Sequence, residues 1–419
     1  MINFKYSNTV LINLIIVSIV SFLIWGPFFP DLIVSVSALF FLFYLLKKNN
    51  FYYFKKKPFI VFLFFCIIST LISLESENIS LSIKSSLFYF RIGVFSCFIW
   101  YLVDKDKSIL TYFYNALILC FSALVIDGYI QYFTGENLLG FKLKAIRVSS
   151  FFGDEFIMGS YLSRLFPLLF ALFLIKQKQK YEIYFLGLLF ILVDVLIFMS
   201  GERSAFFFLN LSTLFIIILI KEYQKFRLGT FIIAIICIIF LSLNSSKLSN
   251  RMFIIPATDM GLIKSSKETT IFTKVHDSHY RTAYKMFKAK PILGHGPKMF
   301  RVKCKDEKYA TGMFPCSTHP HNFYIQLLAE TGIVGFLFLF SALVYLVYTA
   351  LRQFLSIIFR KKRPLSDYQV CLLAGILITV WPLTPNGNFF NNWLMIVYCL
   401  PVGFYLQSIY SKKMIKKDL

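Results

Sequence analysis

The feature that most constrains this chain is a succession of apolar blocks about 18–25 residues long, each enough to cross a hydrocarbon core of about 30 Å. With 58% hydrophobic and 16% charged residues and a mean hydropathy of +0.68, the chain departs from soluble domains, which average roughly a quarter charged. A disordered, fibrous or ordinary cytosolic protein is excluded. The fold class expected is an all-α polytopic membrane protein.

The blocks predict about twelve transmembrane helices, near 9–29, 30–46, 58–74, 83–103, 108–133, 156–175, 183–200, 204–220, 228–243, 323–350, 368–386 and 393–410. The formal net charge of +23 is not a nucleic-acid signature. Basic clusters such as Lys47–Lys48, Lys55–Lys57, Lys176–Lys180, Lys221–Arg227, Arg352–Arg363 and Lys412–Lys417 fall in the short connections. With both termini cytoplasmic, all of them lie inside, as the positive-inside rule requires. Three regions follow: residues 1–243 with nine spans, an external loop 244–322, and residues 323–419 with three spans and a tail.

The loop 244–322 carries 14 Lys/Arg against 5 Asp/Glu, which points to an acidic ligand, and it holds all five histidines: His276, His279, His295, His319 and His321. Cys304 and Cys316 in the same loop are a disulfide candidate in an oxidising compartment. His319-Pro-His321 lacks the further Cys, His or carboxylate ligands of a zinc site, so no metal is expected. Pro320 disfavours helix at His319, and an apolar helix follows, with Asn322 as a good N-cap. The positive helix end keeps a nearby imidazole unprotonated, and His321 can then accept a proton as a general base.

Upstream, a helix over about 278–290, capped by Asp277 or Ser278 and ended by Pro291, sets Arg281, Lys285 and Lys288 on one face. A basic face of this kind suits a diphosphate. Arg203 stands at the outer junction of two spans and is a candidate second phosphate clamp. Five charges fall inside spans: Arg91, Asp127, Arg164, Asp194 and Glu330. Such residues face a partner or a wet cavity. Two positive and three negative charges that nearly neutralise one another imply a polar cavity opening outward beneath the loop.

His321-Asn322, nine residues, then Gly332-Ile-Val-Gly335 resembles the His-Asn-x9-Gly-x-x-Gly pattern of bacterial O-antigen ligases and Wzy-type polymerases. Tyr280 to Gly296, with Arg281 followed by a Pro-x-x-Gly-x-Gly turn, and Gly201-Glu-Arg-Ser-Ala205 are similar to further elements of that superfamily. The resemblance implies a GT-C-like inner-membrane glycosyltransferase without metal or other cofactor. Its donor would be an undecaprenyl-diphosphate-linked glycan. Its acceptor would be lipid A–core for a ligase, or a lipid-linked glycan for a polymerase. By matching position His321 is the base, Arg203 and Arg281 hold the diphosphate, and Arg147 joins them. His319, Asn322, Lys285 and Lys288 are secondary candidates. A twelve-span secondary transporter and a non-enzymatic scaffold are the competing classes. The shallow intramembrane charges and the single large outer loop count against a midplane transport site.

Overall fold

The computed structural model describes residues 4–176, 179–263 and 271–411. The basic cluster Lys412–Lys417 and part of Lys176–Lys180 lie outside the described residues. The apolar blocks are largely helical, and no strand occurs among the described residues beyond two isolated bridges in the 134–155 loop. The first half runs through α1 (Phe4–Val17), α2 (Ile19–Trp25), α3 (Phe28–Lys48), α4 (Lys57–Leu74), α5 (Ile79–Ser86) and α6 (Phe90–Lys105). It continues with α7 (Ser108–Thr134), α8 (Met158–Ile175), α9 (Lys180–Met199), α10 (Arg203–Leu219) and α11 (Gln224–Asn244). The outer segment contributes α12 (Lys274–Ala289) and several single turns. The last part contains α13 (Phe323–Ile358), α14 (Asp367–Thr379) and α15 (Asn392–Tyr410).

Nine helices among the described residues are long and apolar enough to cross a bilayer, where the sequence predicts twelve spans. The other three positions hold shorter apolar helices: Val10–Trp25, Arg203–Leu219 and Asp367–Thr379. The last is short because the chain leaves helix at Val380, just before Trp381-Pro382, and continues as an irregular segment to Asn391.

The intramembrane charges do not neutralise one another as a group. Arg91 pairs with Asp31. Asp127 accepts from Ser150 Oγ at 2.6 Å and from the Leu138 amide at 2.8 Å. Arg164 donates to Asn386 Oδ1 at 2.6 Å and lies against the rings of Phe208 and Tyr398. Asp194 is held bidentately by Arg227, at 2.9 and 3.1 Å. Arg227 therefore reaches from the Lys221–Arg227 cluster into the helix bundle instead of standing in water. An apolar cavity of about 540 Å³ lies between α4, α6, α13, α14 and α15, with Phe323 and Phe389 in its wall.

The outer segment has a small core of its own, in which Ala283, Met286, Phe300, Cys304 and Tyr309 pack on Ala329 of α13. Cys304 and Cys316 are joined by a disulfide with their Cα atoms 5.1 Å apart. Closing a loop of this length contributes up to about 3 kcal/mol by chain entropy. Cys304→Ser is expected to make the segment markedly more sensitive to limited proteolysis, with wild type under reductant behaving the same way. Equal cleavage of the oxidised, reduced and Cys304→Ser proteins would remove that contribution.

Candidate active site

Two glycine motifs separated in sequence meet in space. Helix α13 is broken at Gly332, whose φ of 63° and ψ of −162° lie outside the helical region. The Pro291–Gly296 turn docks into the break. The Ile333 amide donates to Pro291 O at 2.9 Å, His295 N to Ala329 O at 3.1 Å, and Gly296 N to Glu330 O at 2.8 Å. A Cβ on Gly332 would lie 2.2 Å from Ile292 O, so both the left-handed backbone and the close approach require glycine there. Glu330 strengthens the joint by accepting from Gln326 Nε2 at 2.9 Å and from the Phe300 amide at 3.1 Å. It makes no hydrogen bond with His321, nine positions earlier in the chain.

Asn322 caps α13, accepting from the amides of Tyr324 and Ile325 at 3.0 and 3.2 Å. Its Nδ2 donates to Pro382 O at 2.6 Å, and the Asn386 amide donates to His321 O at 2.8 Å. The irregular 380–391 segment is thus the seat of the histidine strap. His321 sits at φ 60°. Such a backbone is uncommon for a residue other than glycine, although histidine tolerates it better than most, and it concentrates at functional sites.

Four of the five histidines converge. The ring centroid of His321 lies 4.1 Å from that of His319 and 5.5 Å from those of both His276 and His279. His321 Nε2 is 3.1 Å from Ser317 Oγ, and its Nδ1 has no hydrogen-bond partner among the described residues. His319 Nε2 donates to Asn386 O at 3.3 Å, and its Nδ1 faces Thr318 Oγ1 at 2.9 Å. Burial, followed by the imidazoles of His319, His276 and His279, pushes His321 down to about 3. Burial, His279 and Arg203 push His276 down to about 4. Burial also brings His319 to about 4, with Arg301 adding to the effect and the Asn386 carbonyl opposing it. The imidazoles are neutral near pH 7, chiefly from burial and mutual repulsion. No three His, Cys, Asp or Glu side chains among the described residues are placed to share a metal ion.

Helix α12 begins at Lys274, one turn earlier than expected, and stops before Pro291. Its inner face carries His279, Ala283 and Met286, all buried, and His276 borders it. Its basic face points away. Lys285 and Lys288 are exposed, and the Arg281 side chain is 62% exposed and ion-paired to Asp277 at 2.7 Å. The cations whose fields reach the imidazoles are instead Arg203, at His276, and Arg301, at His319. Arg203 has company at the turn after α9. Its Nε donates to Arg251 O at 2.9 Å, and Arg147 Nε donates to Ser200 O at 3.2 Å while its guanidinium stacks on Phe156 at 3.9 Å. Burial and the charges of Arg251 and Arg203, opposed by Glu202, lower Arg147 to about 10.

Residues 185–340, which hold Arg203, Arg251, Arg301 and all four clustered histidines, match the family model described as O-Antigen ligase. The match covers less than half of the chain and makes that segment similar to the O-antigen ligases. No curated protein matches the chain. Together with the membrane-length apolar helices, this likeness supports a multi-pass membrane protein of the O-antigen ligase or polymerase type. Within the matched segment, the sequence marks His321 and Arg203 but gives no sign of Arg251 or Arg301, which belong to no motif. The gathering of every histidine into one loop is the signal for His276 and His279.

Proposed function

We propose that the chain is a twelve-pass, GT-C-like glycosyltransferase of the bacterial inner membrane. Both termini face the cytoplasm and the 244–322 segment faces the periplasm. It moves a glycan from undecaprenyl diphosphate to an acceptor hydroxyl, most simply that of lipid A–core. The observation that carries this reading is the juxtaposition of an unprotonated His321 cluster with guanidinium groups, the first of which, Arg203, acts on His276. A base beside a phosphate clamp is what displacement of a diphosphate requires.

The acceptor hydroxyl loses its proton to His321 while its oxygen attacks the anomeric carbon. The C–O bond to the diphosphate breaks, and its electron pair stays on the phosphate oxygen. Direct displacement inverts the anomeric centre. Diphosphate is a good leaving group, so neither a general acid nor a metal is called for. Arg203 and Arg147 meet the developing charge, and a guanidinium fork suits phosphate oxygens. Arg281, paired to Asp277 on the outward face, is given no phosphate contact in this scheme. The apolar cavity bounded by Phe389 and by Phe323, the residue after Asn322, offers a groove for a lipid tail.

A strain lacking the chain tests the reading through its lipopolysaccharide. Bare core with accumulated lipid-linked polymer is expected. Core capped by a single repeat would instead establish polymerisation, and unchanged lipopolysaccharide and lipid-linked glycan would overturn both.

A further inference from the structure

Three guanidinium groups share the turn that follows α9. Arg147, Arg203 and Arg251 each spend Nε on a backbone carbonyl: Ser200 O at 3.2 Å, Arg251 O at 2.9 Å and Gly201 O at 3.1 Å. Their Nη nitrogens make no hydrogen bond or ion pair with other described residues. Gly201 is the floor of the arrangement: with φ +65°, a Cβ there would lie 2.5 Å from Arg251 Nε and 3.2 Å from Arg147 Cγ.

The nearby carboxylates do not balance these charges. Glu202 is engaged elsewhere, accepting from the amides of Gly159 and Ser160 at 2.6 and 3.0 Å and from Ser160 Oγ at 2.8 Å. Burial raises it to about 7, so near neutrality it is only partly ionised. Asp259 is close enough to act on Arg203 but makes no ion pair with it. Three crowded forks with their terminal nitrogens open call for an anion with several oxygens.

We propose that Arg251 is a third phosphate-binding side chain, completing with Arg147 and Arg203 a cradle that selects a diphosphate over a monophosphate. The proposal rests on the diphosphate reading of the site given above. Its chemical role follows from the charge balance of transfer. In the donor each phosphate carries one negative charge. When the glycosyl C–O bond breaks, the phosphate that held the sugar becomes the free end of the lipid diphosphate and gains an oxyanion, while the acceptor's proton goes to His321. Arg251 is the group available for that new oxygen, and electrostatic stabilisation of developing charge is where such a donor contributes most.

Farnesyl diphosphate and farnesyl monophosphate, titrated into the full chain in nanodiscs, test this without any transfer step. Wild type is expected to bind the diphosphate at least tenfold more tightly. Arg251→Gln should lose that tenfold and bind the two probes alike. Lys247→Gln, which removes an exposed charge four positions away, should stay within twofold of wild type. Wild-type affinity in Arg251→Gln would overturn the role of Arg251 and leave the diphosphate reading standing. Failure of wild type to bind farnesyl diphosphate would overturn the diphosphate reading and the cradle with it. Should Arg251→Gln not fold, phenylglyoxal modification of wild type decides: Arg251 is expected to be protected by farnesyl diphosphate and not by farnesol, and absence of protection overturns the proposal.

Discussion

His321→Ala is expected to lower glycan transfer by about 10²–10⁴-fold, the usual contribution of a positioned base, while the protein still inserts and folds. His321→Asn is the sharper variant. Asparagine tolerates the left-handed backbone that His321 adopts at φ 60°, yet it cannot take the proton, so the same loss should follow. Transfer from a lipid-linked glycan in isolated membranes measures both, and full activity in either ends the base assignment. The acidity of the cluster adds a second readout. Protonation removes a base, and an ordinary imidazole, near 6.5, would give an acid limb at that pH. With His321 lowered to about 3, the limb of kcat/KM attributable to it should lie below pH 5. The profile is best taken in Glu202→Gln as well, since Glu202 at about 7 is the other group beside the arginines that titrates near neutrality. A loss centred on pH 6.5 in both proteins would show that the imidazole is not depressed.

The second large effect concerns the buried pair of Asp194 and Arg227. Their side chains are 2% and 0% exposed. Thr213 Oγ1 accepts from the guanidinium at 2.7 Å, and Phe166 stacks on it at 4.5 Å. Asp194→Leu leaves a cation without its partner among apolar helices and is expected to cost about 3–5 kcal/mol. The double variant Asp194→Leu/Arg227→Met should recover most of that loss, because apolar side chains of similar volume replace both charges at little cost. Thermal unfolding in one detergent compares the three proteins. If Asp194→Leu matched wild type, the guanidinium would be reaching water. The effect bears on the site as well, because the pair braces α9 against α11, and α9 ends at the turn that carries Gly201 and Arg203.

Much of the architecture is legible in the sequence because it is local. Each apolar block is largely helical, α12 stops before Pro291, and Asn322 caps α13, since span length, proline and capping act over a few residues. The missed features depend on contacts between distant segments. The basic stripe of Arg281, Lys285 and Lys288 is correctly read as one face, but periodicity says nothing about which face turns inward, and the His276 and His279 side does so. Arg227 looks cytoplasmic by position because the reach of its side chain to Asp194, 33 residues earlier, is invisible to a topology count. The predicted span 368–386 runs through residues 380–386, although Pro382, Pro385 and Asn386-Gly-Asn388 are the punctuation of a turn. That segment instead holds His319 and His321 in place. Arg251 sits in no pattern and becomes meaningful only beside Gly201.

The docking of the Pro291–Gly296 turn into the broken helix at Gly332 has a practical consequence for anyone building hybrids from related chains. The joint is made of main-chain bonds on both sides of the nominal boundary at residue 322, so a graft of 244–322 alone would deliver a plug without its socket. The transferable unit is the outer segment together with the first half of α13, and the cut belongs beyond Gly335.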